Sequence, residues 1–211
     1  MRTASIADNW FAIKNVRAPL IEPTGRHVDR LVQIRTNPIS GRTSRITFSR
    51  VNEKEAGSDR LPSPPPDASE TARCPFCRPQ VLVRTPQMIS QLHPAGRMTR
   101  GESLLFPNLF PYGAYSAVSL FDNTHFVEIG TASKGTYSDC LVNCADYLKQ
   151  VKRHDPSATF MAITQNHLPS AGGLVGHPPP HVPAAGVGGD KPRALFSPAR
   201  LLRRKQQEGV L

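Results

Sequence analysis

This sequence predicts an α+β domain, an antiparallel sheet of short strands with one well-formed helix packed on it. Two observations carry that expectation. Short alternating apolar runs lie between proline- and glycine-containing turns, which is the period of a half-buried strand. One later segment has helical period instead. A length of 211 residues suits one domain with tails and can bury a sizeable core. The folded domain is expected over residues 31–185, with an N-terminal extension over 1–30 and a basic tail over 186–211.

The elements follow in order. Residues 31–34 and 45–49 read as strands around Asn37-Pro-Ile-Ser-Gly41, where Pro38 and Gly41 fit turn chemistry. Residues 61–72 are proline- and serine-rich without period, a flexible loop. Two more short strands are expected over 103–106 and 115–121. Residues 136–151 form the clearest helix, with Tyr137, Leu141, Cys144, Leu148 and Val151 as its apolar stripe and Thr136 with Asp139 as a capping pair. A further strand is expected over 158–164. The proline cluster at 177–183 then reads as a break, and the glycines of 186–189 loosen the chain after it.

Composition removes several function classes. No apolar run approaches the roughly 18 residues that a membrane helix needs, so no membrane partner is expected. The first residues lack an apolar signal core, so a cytoplasmic location is expected. The net charge of +10 suggests an anionic partner. Part of that excess lies in the tail, where Lys191, Arg193, Arg200, Arg203, Arg204 and Lys205 face only Asp190 and Glu208. A basic tail is more often a solvated end than a recognition device. Aromatic residues make up only 7% and interleave with no basic stripe, which disfavours a nucleic-acid-binding zinc protein.

Cys74-Pro-Phe-Cys77 is the strongest local signal. Two thiolates on a tight turn can grip one Zn2+, and histidines elsewhere would complete a tetrahedron. A redox pair would need a helix starting at the first cysteine, and Arg78-Pro79 argues against one. Cys140 and Cys144 sit four apart on the helix and read as small core residues. His27, His93 and His154 read as surface residues. His125 follows the second central strand after a short turn, where it could be a turn histidine. His177 and His181 flank three prolines, after a loop at 166–173 whose small residues could approach a phosphate. A surface loop is the competing reading.

Taken in order, these blocks resemble the N-terminal half of galactose-1-phosphate uridylyltransferases, in the histidine-triad superfamily. The similarity runs from Leu31 to His181. Ile34-Arg-Thr-Asn-Pro-Ile-Ser-Gly41 resembles the family's opening strand and turn, Cys74-Pro-Phe-Cys77 its zinc CxxC, and Phe106-Pro-Asn-Leu-Phe-Pro111 its uridine-holding segment. Asn123-Thr-His125 stands where the family has a third zinc ligand. The resemblance implies a histidine-triad-like fold, with zinc on Cys74, Cys77, His125 and His177. It implies a base and ribose site at Phe106 and Asn108, and phosphate contacts from Arg50, Asn166 and Gly173. The substrates would be a UDP-sugar and a sugar 1-phosphate, and His181 would carry the uridylyl group.

The chain departs from the family pattern after Asn166. The family reads H-P-H-x-Q, and its glutamine steadies the uridylyl intermediate. Without an insertion, His177-Pro-Pro-Pro-His181 puts Pro179 at the nucleophile position and His181 at the glutamine position; with two prolines inserted, His181 becomes the nucleophile and Pro183 replaces the glutamine. Proline has no side-chain donor. The family also has a second, related half, while residues 182–211 are all that follow here. The shift to proline, glycine and arginine after Val175 suggests a reading-frame change and a truncated product, which the encoding DNA would test. Such a half would expose the face its partner covers, so a homodimer is expected. The alternative to transfer is a zinc-stabilised nucleotide-binding relic.

Overall fold

A long hairpin opens the computed structural model, which describes residues 11–48, 71–72, 74–125, 133–165 and 180–186. Strands β1 (Ala12–Ile21) and β2 (His27–Thr36) pair antiparallel along their whole length, and β3 (Thr43–Thr47) adds to β2. The β1–β2 turn closes through Gly25, whose φ of 83° is strained for any side chain. The Glu22 carboxylate accepts from Arg26 at 2.9 Å and from Arg30 at 2.6 Å. The turn read at Asn37–Gly41 forms as expected. Asn37 Oδ1 accepts from the backbone of Ile39 at 2.9 Å and Ser40 at 3.0 Å, and Gly41 adopts φ 67°.

Within the stretch expected as an N-terminal extension, β1 and the start of β2 are paired strands of this sheet. Alternation places Val16, Ala18, Leu20, Val32 and Ile34 on its inner face. Of these, Ala18, Leu20, Val32 and Ile34 are buried.

The second sheet is antiparallel throughout, in the order β4-β5-β6-β9-β7, with β8 also paired to β9. It contains β4 (Met98–Arg100), β5 (Ser103–Pro107), β6 (Tyr115–Leu120), β7 (Ala158–Met161), β8 (Thr164–Gln165) and β9 (Pro180–Gly186). A short helix α1 (Gln80–Arg84) follows the CxxC, and the long helix α2 (Lys134–His154) precedes β7. The expected strands at 103–106, 115–121 and 158–164 are present, the last broken at Ala162-Ile163. The α+β class with antiparallel sheets holds. Among the described residues, no helix is long and apolar enough to cross a membrane.

Helix α2 is capped by Ser133, not by the pair Thr136 and Asp139. The Ser133 side chain accepts from the Thr136 backbone at 3.0 Å. Its buried stripe is Cys140, Asn143, Cys144, Tyr147 and Val151, so Leu141 falls outside it and is 46% exposed. Cys140 and Cys144 are fully buried, as read from the sequence. They pack with Leu105, Ala117, Phe121, Val182 and Ala184 on one face of the sheet. The opposite face carries a second cluster of Val81, Leu104, Phe106, Val118 and Leu120.

Within the cluster read as a break, residues 180–183 are not one. Pro180–Gly186 is an interior strand, paired to β6 on one side and to β7 and β8 on the other. Proline costs a ladder bond in a central strand. Here Pro180 is the first residue of β9. Pro183 falls beside the gap at Ala162-Ile163, between the pairs His181–Thr164 and Ala184–Met161.

Candidate functional site

The Cys74–Cys77 turn lies against the face of the second sheet that α2 leaves open. Phe76 packs on that face, with its ring 5.8 Å from the Phe106 ring. The turn continues directly into α1, where the Val81 backbone donates to the Cys77 carbonyl at 3.0 Å and the Val81 side chain is buried in the same cluster. These contacts fix both thiols. The Phe76 backbone also points at Cys74 Sγ, at 3.4 Å.

His125 arrives from the end of β6. Asp122 Oδ1 accepts from the Thr124 backbone at 2.7 Å, and Asn123 donates to Glu102 at 3.0 Å, so the connection is held at both ends. It brings His125 Nδ1 to 3.1 Å from Cys77 Sγ. The ligand atoms of Cys74, Cys77 and His125 all lie within 4.8 Å of one another. In a tetrahedral zinc site, ligand atoms stand about 3.5–3.8 Å apart, given metal–ligand distances near 2.0–2.3 Å.

The donor set therefore fits a metal ion: two buried soft sulfurs and an imidazole, the chemistry zinc prefers. Burial, with Cys74 beside it, pushes the Cys77 thiol up to about 12. A bound cation reverses that preference and holds both sulfurs as thiolates. The fourth expected ligand, His177, lies outside the described residues, as do Arg50, Asn166 and Gly173.

His181 lies on the same open face. It pairs with Val118 of β6 on one side and Thr164 of β8 on the other, and Val118 belongs to the cluster under the CxxC turn. The next residue, Val182, points to the α2 face, so alternation turns His181 away from it. Its imidazole is half-buried, and that burial lowers its pKa below the ordinary 6.5, so it is neutral at pH 7. Its Nδ1 is buried with no hydrogen-bond partner among the described residues. Tyr112, from the β5–β6 loop, meets the His181 ring edge-on at 5.9 Å.

Phe106 and Asn108 reach the same region by different routes. Phe106 is 1% exposed, within the open-face cluster. Asn108 is buried, with its Oδ1 accepting from the Phe110 backbone at 2.9 Å and its own backbone donating to the Ser116 carbonyl at 2.8 Å. It shapes the loop that carries Tyr112. The first sheet meets this loop too, because Thr47 donates to the Pro111 carbonyl at 2.8 Å. Two residues earlier on β3, Arg45 lies over the Phe160 ring at 5.7 Å.

Three of these residues carry no sequence motif. Tyr112 sits in a loop, Arg45 on a strand, and Ser116 among apolar neighbours. Ser116 is 5% exposed, and its Oγ is also without a hydrogen-bond partner among the described residues. Strand alternation alone could have placed Ser116 opposite the α2-facing Ala117, once β6 was recognised. His93, read as a surface residue, is half-buried instead.

No protein-family model matches the chain. It is similar to an uncharacterized protein of Archaeoglobus fulgidus, with 28% identity over 169 residues. That alignment covers 78% of this chain and 47% of the relative, so the chain spans about half the relative's length.

Proposed function

We propose that this chain is a zinc-stabilised nucleotide-binding domain whose His181 takes a uridylyl group from a UDP-sugar and passes it to a sugar 1-phosphate. The observation that supports this most is His181 itself: a neutral imidazole in an interior strand, on the open sheet face, with an unpartnered nitrogen. The Cys74, Cys77 and His125 cluster on that face supports it as well.

Zinc on Cys74, Cys77, His125 and His177 supplies structure, since four protein ligands leave no open position. The reacting group is the chain's own. A neutral imidazole nitrogen of His181 attacks the α-phosphorus of UDP-glucose, a P–N bond forms, and the P–O bond to glucose 1-phosphate breaks. A second sugar 1-phosphate then attacks the same phosphorus and regenerates the imidazole. Arg50, Asn166 and Gly173 hold the phosphates in this reading, and Phe106 backs the base site.

Such a two-step route predicts exchange of labelled glucose 1-phosphate into UDP-glucose with no other acceptor present. Exchange supports the reading, and its absence under saturating UDP-glucose overturns transfer. A second reading, nucleotide binding without transfer, is favoured by Pro183 standing where the resembled family has its glutamine. It predicts UDP binding without exchange.

A further inference from the structure

Two buried polar atoms stand unpartnered on one face of the second sheet, and both are on neighbouring strands. Ser116 pairs with Pro183 and Val118 pairs with His181, so Ser116 and His181 are diagonal neighbours across β6 and β9. Diagonal cross-strand residues lie about 7–8 Å apart. Both side chains point away from α2, because their neighbours Ala117 and Val182 pack beneath it. Ser116 Oγ and His181 Nδ1 each lack a hydrogen-bond partner among the described residues. A buried hydroxyl without a partner costs stability, so a single orphan calls for an explanation. Two on one face, on adjoining strands, point to a ligand.

We propose that Ser116 is a substrate-contacting residue, whose hydroxyl donates to a phosphate oxygen of the nucleotide held at His181. The proposal rests on the reading of His181 as the nucleotidyl acceptor. Its new content is the donor. Pro183, directly across the ladder from Ser116, carries no side-chain donor. The Ser116 hydroxyl is therefore the side-chain donor of that cross-strand pair, on the open face of the sheet. Serine is neutral and small, so it can reach a phosphate oxygen without adding charge to an apolar cluster.

The test compares wild-type chain, Ser116→Ala and Ser116→Thr, each zinc-loaded, titrated with UDP and with uridine. Loss of one donor to a charged oxygen is expected to weaken UDP about tenfold to a hundredfold in Ser116→Ala, with uridine unchanged and Ser116→Thr near wild type. Removing an orphaned hydroxyl is also expected to leave the ligand-free melting temperature unchanged or higher, whereas a hydroxyl with a structural partner would lower it. If wild type binds UDP and Ser116→Ala binds it equally well, Ser116 is not the donor while the His181 reading stands. If wild type binds no UDP, both fail together.

Discussion

At the scale of single residues, the proposed transfer turns on His181 and its pH behaviour. Burial holds its pKa below 6.5, so the folded chain binds fewer protons than the unfolded chain just below that pH. Stability tied to His181 is therefore complete above pH 6.5 and is lost as the pH falls through 6.5 toward the folded value. We expect His181→Asn to flatten that part of the pH–stability curve, measured by urea unfolding at stepwise pH. Adduct formation should follow the same neutral imidazole, with its acid limb below pH 6.5. Cys74 and Cys77 were legible as ligands, because CxxC spacing dictates a two-sulfur turn, whereas His125 was named only through the family resemblance. Ser116 was not, since a lone serine in an apolar run carries no signal until its face is known. For the metal, Cys77→Ala should lower bound zinc below about one ion per chain and weaken affinity more than about 100-fold. Loss of an outer partner alone costs about 10–100-fold, and a ligand costs more. Metal analysis after dialysis checks this, and full retention of zinc would contradict it.

The elements divide by how local their determinants are. Helix α2 was legible from its period, yet the stripe was misplaced because Tyr147, fully buried, and Leu141, exposed, lie on opposite edges of the same apolar run. Ser133 was missed as the cap because the periodic run begins after it. Ser133→Ala removes the acceptor for the Thr136 backbone and should cost about 1 kcal/mol, read by chemical denaturation. Strand β9 was the largest miss. Its prolines read as breakers, and only the gap at Ala162-Ile163, a tertiary feature, lets Pro183 sit in an interior strand. β1 was missed because its partner is β2 itself, whose early half has exposed polar positions. Phe106→Ala, which empties the space between Phe76 and the sheet, should cost about 3–5 kcal/mol. It should also loosen zinc by freeing the CxxC turn.

For the whole molecule, the second sheet works by its two faces. α2 covers one with an apolar and thiol-lined core, and the other holds the CxxC turn, Tyr112, Ser116 and His181. A metal ion held by Cys74, Cys77 and His125 would tie the chain before α1 to the end of β6, and so steady the strand against which β9 presents its histidine. Chelating the metal is expected to lower the melting temperature and to weaken UDP binding together, a coupling that calorimetry with and without chelator measures. The central claim is that His181 accepts the uridylyl group. Intact-protein mass after incubation with UDP-glucose tests it most directly, alongside His181→Asn. The account predicts one uridylyl adduct on the parent chain and none on the variant. An unmodified parent with zinc still bound, or an adduct that persists in His181→Asn, would contradict it.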